Sequence, residues 1–141
     1  MRILAVDHGA ARAGCAISDP SGTLVRPLDV IEPPEPEAVA RLAEEHGADL
    51  VVVGVPVSLS GGEGGQAAVA REFGRRLAEV LKVPVDTYDE RLTTRMAEAS
   101  ARAGAEAPPD ALAAAHLLES YLASRAAPGG PAAGEAGSDG S

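Results

Sequence analysis

Ile3-Leu4-Ala5-Val6-Asp7 is a short run of apolar, strand-forming residues whose only charge stands at its carboxyl end. In an open sheet with helical crossovers, ligands bind beyond the carboxyl ends of the strands. An acid at that place does nothing to bury a core, so Asp7 is the first candidate for chemistry. Val83-Pro84-Val85-Asp86-Thr87-Tyr88-Asp89-Glu90 repeats the design more loosely, with β-branched and aromatic residues leading into two adjacent carboxylates. Asp110 opens the last apolar helix, directly after Pro108-Pro109. Acids at these three places point to a metal-dependent phosphodiesterase site. Each also has a plain structural explanation: Asp7 as a turn initiator, Asp89-Glu90 as a solvated loop, and Asp110 as a partner of the helix dipole.

Outward from these positions, the patterning predicts strands at about 2–7, 13–18, 24–31, 50–55 and 83–88. Helices are predicted at about 36–46, 66–81, 94–103 and 109–125. The first three strands are separated by turn signals, Gly9 and then Asp19-Pro20-Ser21-Gly22, which suits an antiparallel meander. Later strands alternate with helices and should be parallel. The expected architecture is α/β, a mixed five-stranded sheet flanked by helices. Pro36 starts the first helix and Gly47 closes it, while Val69, Phe73, Leu77 and Val80-Leu81 mark the apolar face of the second. Ser58-Leu59-Ser60-Gly61-Gly62-Glu63-Gly64-Gly65 is a glycine-rich connection whose amides could receive a phosphate, but it lacks the Gly-Lys-Ser/Thr ending of a P-loop. From Ala126 onward Pro, Gly, Ala, Ser and acids carry no apolar periodicity, so residues 128–141 are expected to form a disordered tail behind one domain at 1–127.

At 141 residues, one domain with a single core is the expectation. No continuous apolar stretch reaches transmembrane length, and Met1-Arg2 leads at once into a strand pattern, so a cytoplasmic protein is expected, without membrane contact. A lone Cys15 with scattered His8, His46 and His116 argues against a structural zinc site. His116, six positions beyond Asp110, is off its helix face and reads as a packing or surface residue. The net charge of −9 argues against a nucleic-acid partner, since backbone affinity comes largely from Lys and Arg neutralising phosphates. Divalent ions held by the acids would offset part of that charge where a phosphate binds.

Four segments carry a resemblance. They are Asp7-x-Gly9 through Arg12-x-Gly14-x-Ala16 to Ser18-Asp19; Val52-Val53-Gly54-Val55-Pro56 with Gly61; Asp89-Glu90-Arg91-Leu92-Thr93-Thr94 with Ala97; and Asp110-Ala111-Leu112-Ala113-Ala114 with Leu118-Glu119-Ser120-Tyr121-Leu122. In this order they resemble the YqgF/RuvX family, provisionally named pre-16S rRNA nucleases and also described as Holliday junction resolvase-like. The resemblance implies an RNase H-like fold for residues 1–127 and a metal-dependent endonuclease, a hydrolase acting on ester bonds, engaged in 5′-end processing of pre-16S rRNA. Alternatives are a Holliday junction resolvase or a catalytically silent nucleic-acid-binding or assembly module. The chain departs from the family at Ala11 and at Pro108-Pro109, where the family usually or often carries lysine.

The implied cofactor is Mg²⁺ or Mn²⁺, which takes oxygen ligands, and in a two-metal site the ions lie about 3.5–4 Å apart. The implied ligands are Asp7 as the bridging carboxylate, Glu90 as the second and Asp110 as the third, with Asp89 as the substitute for Glu90. Arg12, Arg91, Thr93 and Arg95 are the implied substrate contacts, although the arginines can equally pair with the acids. The expected partner is structured RNA or branched DNA. An ATP-binding protein of the actin-like class is disfavoured, because such proteins close two domains around the nucleotide. Removing everything after Ala127 should leave the melting temperature and cleavage activity nearly unchanged, a result that thermal denaturation would contradict if the tail docked.

Overall fold

The computed structural model describes residues 1–9, 11–55, 65–89 and 108–126. Within them lie β1 (Ile3–His8), β2 (Ala13–Ser18), β3 (Val25–Ile31), α1 (Pro36–Glu45), β4 (Leu50–Val55), α2 (Gly65–Val80), β5 (Val85–Asp89) and α3 (Pro109–Ala126). The helix predicted at 94–103, most of the glycine-rich connection and the tail lie outside the described residues.

The strand order is β3-β2-β1-β4-β5. β1 pairs antiparallel with β2 and parallel with β4, and β4 pairs parallel with β5, so the meander and the parallel half expected from the turn signals meet at β1. Leu50-Val51-Val52-Val53-Gly54-Val55 is buried throughout, as a parallel strand covered on both faces should be. Alternation sorts the sheet's side chains between two cores. Leu4, Val6, Ile17, Val51 and Val53 pack with Val39 and Leu42 of α1 and Phe73 and Leu77 of α2. On the other face Ile3, Ala5, Ala16 and Val52 pack with Ala114, Leu117, Leu118 and Tyr121 of α3.

The face of α2 differs from the expectation. Ala67, Ala70, Phe73, Gly74 and Leu77 are its buried residues among those described, whereas Val69 is 54% and Val80 40% exposed. Small alanines lie inward because they let the helix axis approach the sheet around Phe73, and the two valines are turned outward by the same rotation. Two turns follow the sequence closely. Asp19 Oδ1 accepts from the backbone N–H groups of Thr23 and Leu24, and Ser21 donates its hydroxyl to Asp19 Oδ2. Those bonds, the one from Leu24 foremost, hold the Asp19 carboxyl down at about 2, which makes it the organiser of the β2–β3 turn. Gly47 closes α1 at a φ of 66°, a conformation that favours glycine.

α3 packs over β1, β2 and β3, and at Gly14 it reaches the strand itself. A Cβ built on Gly14 would stand 1.9 Å from the Asp110 carbonyl oxygen and 2.3 Å from its carbonyl carbon. Both obstacles are backbone, so no side chain can swing aside to make room. Gly14→Ala should therefore lower stability by at least about 1–3 kcal/mol in chemical denaturation. An unchanged denaturation midpoint would mean that the first turn of α3 is free to lift.

Candidate active site

Asp7 lies near the carboxyl end of β1, opposite Gly14 in the β1–β2 register. It follows Ile3 and Ala5 in the alternation and so faces α3, while His8 faces α2, its ring centroid 4.5 Å from that of Phe73. Burial pushes the His8 imidazole below its usual range, which suits a packing residue. Asp110 sits in the first turn of α3, where the helix dipole favours an acid. Two elements distant in sequence thus bring two carboxylates together. Burial first, and the charge of Asp110 second, raise Asp7 from an ordinary 3.8 to about 6. Among the described residues no hydrogen bond reaches the Asp7 side chain. The β1–β2 turn is closed by the Gly9 N–H donating to the Arg12 carbonyl at 2.9 Å.

Arg12 is directed at acids. Its Nη1 lies 3.4 Å from Asp110 Oδ2 and its Nε 3.8 Å from Glu32 Oε1. Of the two adjacent carboxylates after β5, Asp89 is paired with Arg71 of α2 at 3.7 Å. It therefore lies on the α2 face of the sheet, away from Asp7. Glu90, Arg91, Thr93 and Arg95 lie outside the described residues. His116 is buried, 5% exposed, and its Nε2 has no hydrogen-bond partner among the described residues. The Cys15 thiol, buried in the core beside α1 and α2, is pushed up to about 12 by burial first and then by the charges of Asp29 and Asp7.

A polar clamp went unread in the sequence. β5 is an edge strand, and its other face is tied to α3 by hydroxyl groups. The Tyr121 hydroxyl donates to Asp86 Oδ2 at 2.7 Å, and the Tyr88 and Ser120 hydroxyls lie 2.7 Å apart. The two tyrosine rings meet edge to face at 5.7 Å, and Arg125 stands 5.5 Å over the Tyr121 ring. Burial, followed by the bond to Asp86, raises the Tyr121 hydroxyl to about 12 and keeps it a donor. Asp86 and Tyr88, two apart on the strand, and Ser120 and Tyr121 on the helix were the available signal, but it needs the placement of β5 beside α3 to be seen.

The donor set fits a hard divalent cation. Asp7 and Asp110 offer only oxygen, and their mutual repulsion is what a cation would relieve. The Arg12 guanidinium beside Asp110 already shows that this position accepts positive charge. Among the described residues no group of three or more candidate ligands converges.

A family described as RuvX, Holliday junction resolvase, matches residues 1–124, a span that takes in Asp7, Glu90 and Asp110. The chain belongs to the RuvX family. A relative from Thermobifida fusca, provisionally named a pre-16S rRNA nuclease, is 50% identical over 105 residues, covering 72% of this chain and 66% of that protein. One from Pelotomaculum thermopropionicum with the same name is 38% identical over 146 residues, 96% of this chain and 95% of that protein. The family is one of nucleases, hydrolases acting on ester bonds. Among solved structures, RuvC of Thermus thermophilus in complex with a Holliday junction substrate superposes with a TM-score of 0.59 at 19% identity, covering 89% of this chain and 95% of that one. A fowlpox virus Holliday junction resolvase gives 0.54 at 16% identity, over 88% and 99%. At these identities the likeness is one of fold, and it establishes the RNase H-like architecture for the family member described here.

The raised Asp7 gives this RuvX-family chain a signed pH dependence. A carboxyl that is harder to ionise in the native state makes the folded protein bind the extra proton, so stability falls as pH rises from about 4 to about 6 and stays reduced above. In chelator, Asp7→Asn should gain about 1–3 kcal/mol over the parent near pH 7 and nothing near pH 4. Denaturant titrations at both pH values check this, and an equal gain at both would mean that the Asp7 charge is not what costs stability.

Proposed function

We propose that this protein is a metal-dependent endonuclease that hydrolyses phosphodiester bonds in structured RNA, acting in 5′-end processing of pre-16S rRNA in the cytoplasm. The observation that carries the reading is the meeting of Asp7 and Asp110 at the carboxyl end of β1, sustained against their own repulsion. The names of the relatives support the substrate. No helix among the described residues is long and apolar enough to cross a membrane.

Asp7 would be the bridging metal ligand, Glu90 the second and Asp110 the third. The engagement of Asp89 by Arg71 favours Glu90 over its neighbour. Mg²⁺ or Mn²⁺ bound there would supply charge stabilisation and an activated water. The chain's own part is to hold the carboxylates in register: β1 fixes Asp7, the close approach at Gly14 fixes Asp110, and the tyrosine clamp fixes β5, the strand that precedes Glu90 in the sequence. Arg12, and with it Arg91, Thr93 and Arg95 as the family resemblance implies, would meet the phosphate backbone. The resolvase folds of Thermus thermophilus and fowlpox virus favour a branched-DNA substrate as the second reading. The net charge of −9 favours a third, a silent binding module of the same fold.

Asp110→Asn separates catalysis from structure, because asparagine suits a helix start about as well as aspartate. Its fold should persist, with metal-free stability equal to or above the parent's, while Mn²⁺-dependent cleavage collapses and Mn²⁺ affinity falls. A cleavage assay on a ribosomal RNA precursor and on a four-way junction, each with and without Mn²⁺, distinguishes the readings. Cutting of the junction alone would transfer the assignment to branched DNA, and cutting of neither would leave the binding module.

A further inference from the structure

Arg12 is held between acids from two different elements, Asp110 in the first turn of α3 and Glu32 just beyond β3. The two contacts use different nitrogens, Nη1 toward Asp110 at 3.4 Å and Nε toward Glu32 at 3.8 Å, so one can be lost while the other is kept. Neither is bidentate or as short as a strong charge-assisted bond. The three side chains are 47%, 43% and 63% exposed for Arg12, Asp110 and Glu32, which makes both pairs readily exchangeable. A structural tether at this point would be redundant, since backbone contact at Gly14 already seats the first turn of α3.

We propose that Arg12 is a displaceable counter-ion of the carboxylate site and that Glu32 is the positioning residue that keeps it there. Before a divalent cation binds, the guanidinium offsets the charge of Asp110. When the cation takes Asp110, the guanidinium is repelled from that carboxylate and remains at the mouth of the site on Glu32, free to meet a substrate phosphate. The order of events is thus built into one side chain: the arginine reaches the phosphate only after the metal has displaced it. This inference rests on Asp110 being a metal ligand.

Calorimetric titration with Mn²⁺ of the full-length parent, Arg12→Gln, Glu32→Gln, the double variant and Asp110→Asn tests it without reference to cleavage. Arg12→Gln should bind Mn²⁺ roughly two- to five-fold more tightly, the scale of a half-exposed ion pair. Glu32→Gln should bind it more weakly, because Arg12 is then left to Asp110 alone, and should have no effect in the Arg12→Gln background. Unchanged or weaker binding by Arg12→Gln overturns the counter-ion. An effect of Glu32→Gln that is the same size in both backgrounds overturns the positioning role, since it would then act on the cation directly through space. These outcomes are distinct from failure of the underlying site, which would show as an Asp110→Asn protein that binds Mn²⁺ like the parent.

Discussion

Everything at the candidate site depends on a missing side chain. Gly14 leaves no room for even a methyl group beneath the Asp110 carbonyl, and so the amino end of α3 rests on β2 at backbone distance. Because Gly14 is the register partner of Asp7, the same contact brings the helix acid beside the strand acid. A helix start displaced by a side-chain diameter would leave Asp110 a solvated first-turn aspartate and relieve Asp7 of its repulsion. The extensive apolar packing of Ala114, Leu117 and Leu118 further along α3 supplies the energy that keeps this unfavourable meeting in place.

The site is therefore an electrostatic debt carried by the core. Asp7 is partly desolvated, has no hydrogen-bond donor among the described residues, and faces another acid. Only a positive charge makes this arrangement favourable, and Arg12 supplies part of one. The overall acidity of the chain points the same way. A protein with 21 acids and 12 bases cannot attract a polyanion by its general field, so attraction has to be generated locally, at the place where the acids are gathered.

Much of this was readable in one dimension. β1 and β4 announce themselves as apolar runs, and the turn residues Asp19 and Gly47 act in the fold as their types suggest. Asp7 and Asp110 stood out because an acid at a strand end or helix start needs no burial to be noticed. What could not be read depends on rotation and long-range register. The outward turn of Val69 and Val80 follows from helix–sheet distance, which hydropathy ignores in favour of the larger residue. The side of the sheet occupied by Asp89 depends on the phase of β5, which is fixed by pairing with β4 and by Arg71. Arg12 with Glu32, and Asp86 with Tyr121, are pairings across 20 and 35 positions that no local pattern encodes.

Cys15 gives the sheet an internal gauge. It is the chain's single cysteine, fully buried in β2 one residue after Gly14 and opposite Val6. Its raised thiol and lack of access mean that an alkylating reagent can modify it only when β2 parts from its neighbours. The rate of modification then reports the opening free energy of the central strands, at a place where core packing and the candidate chemistry lie one residue apart.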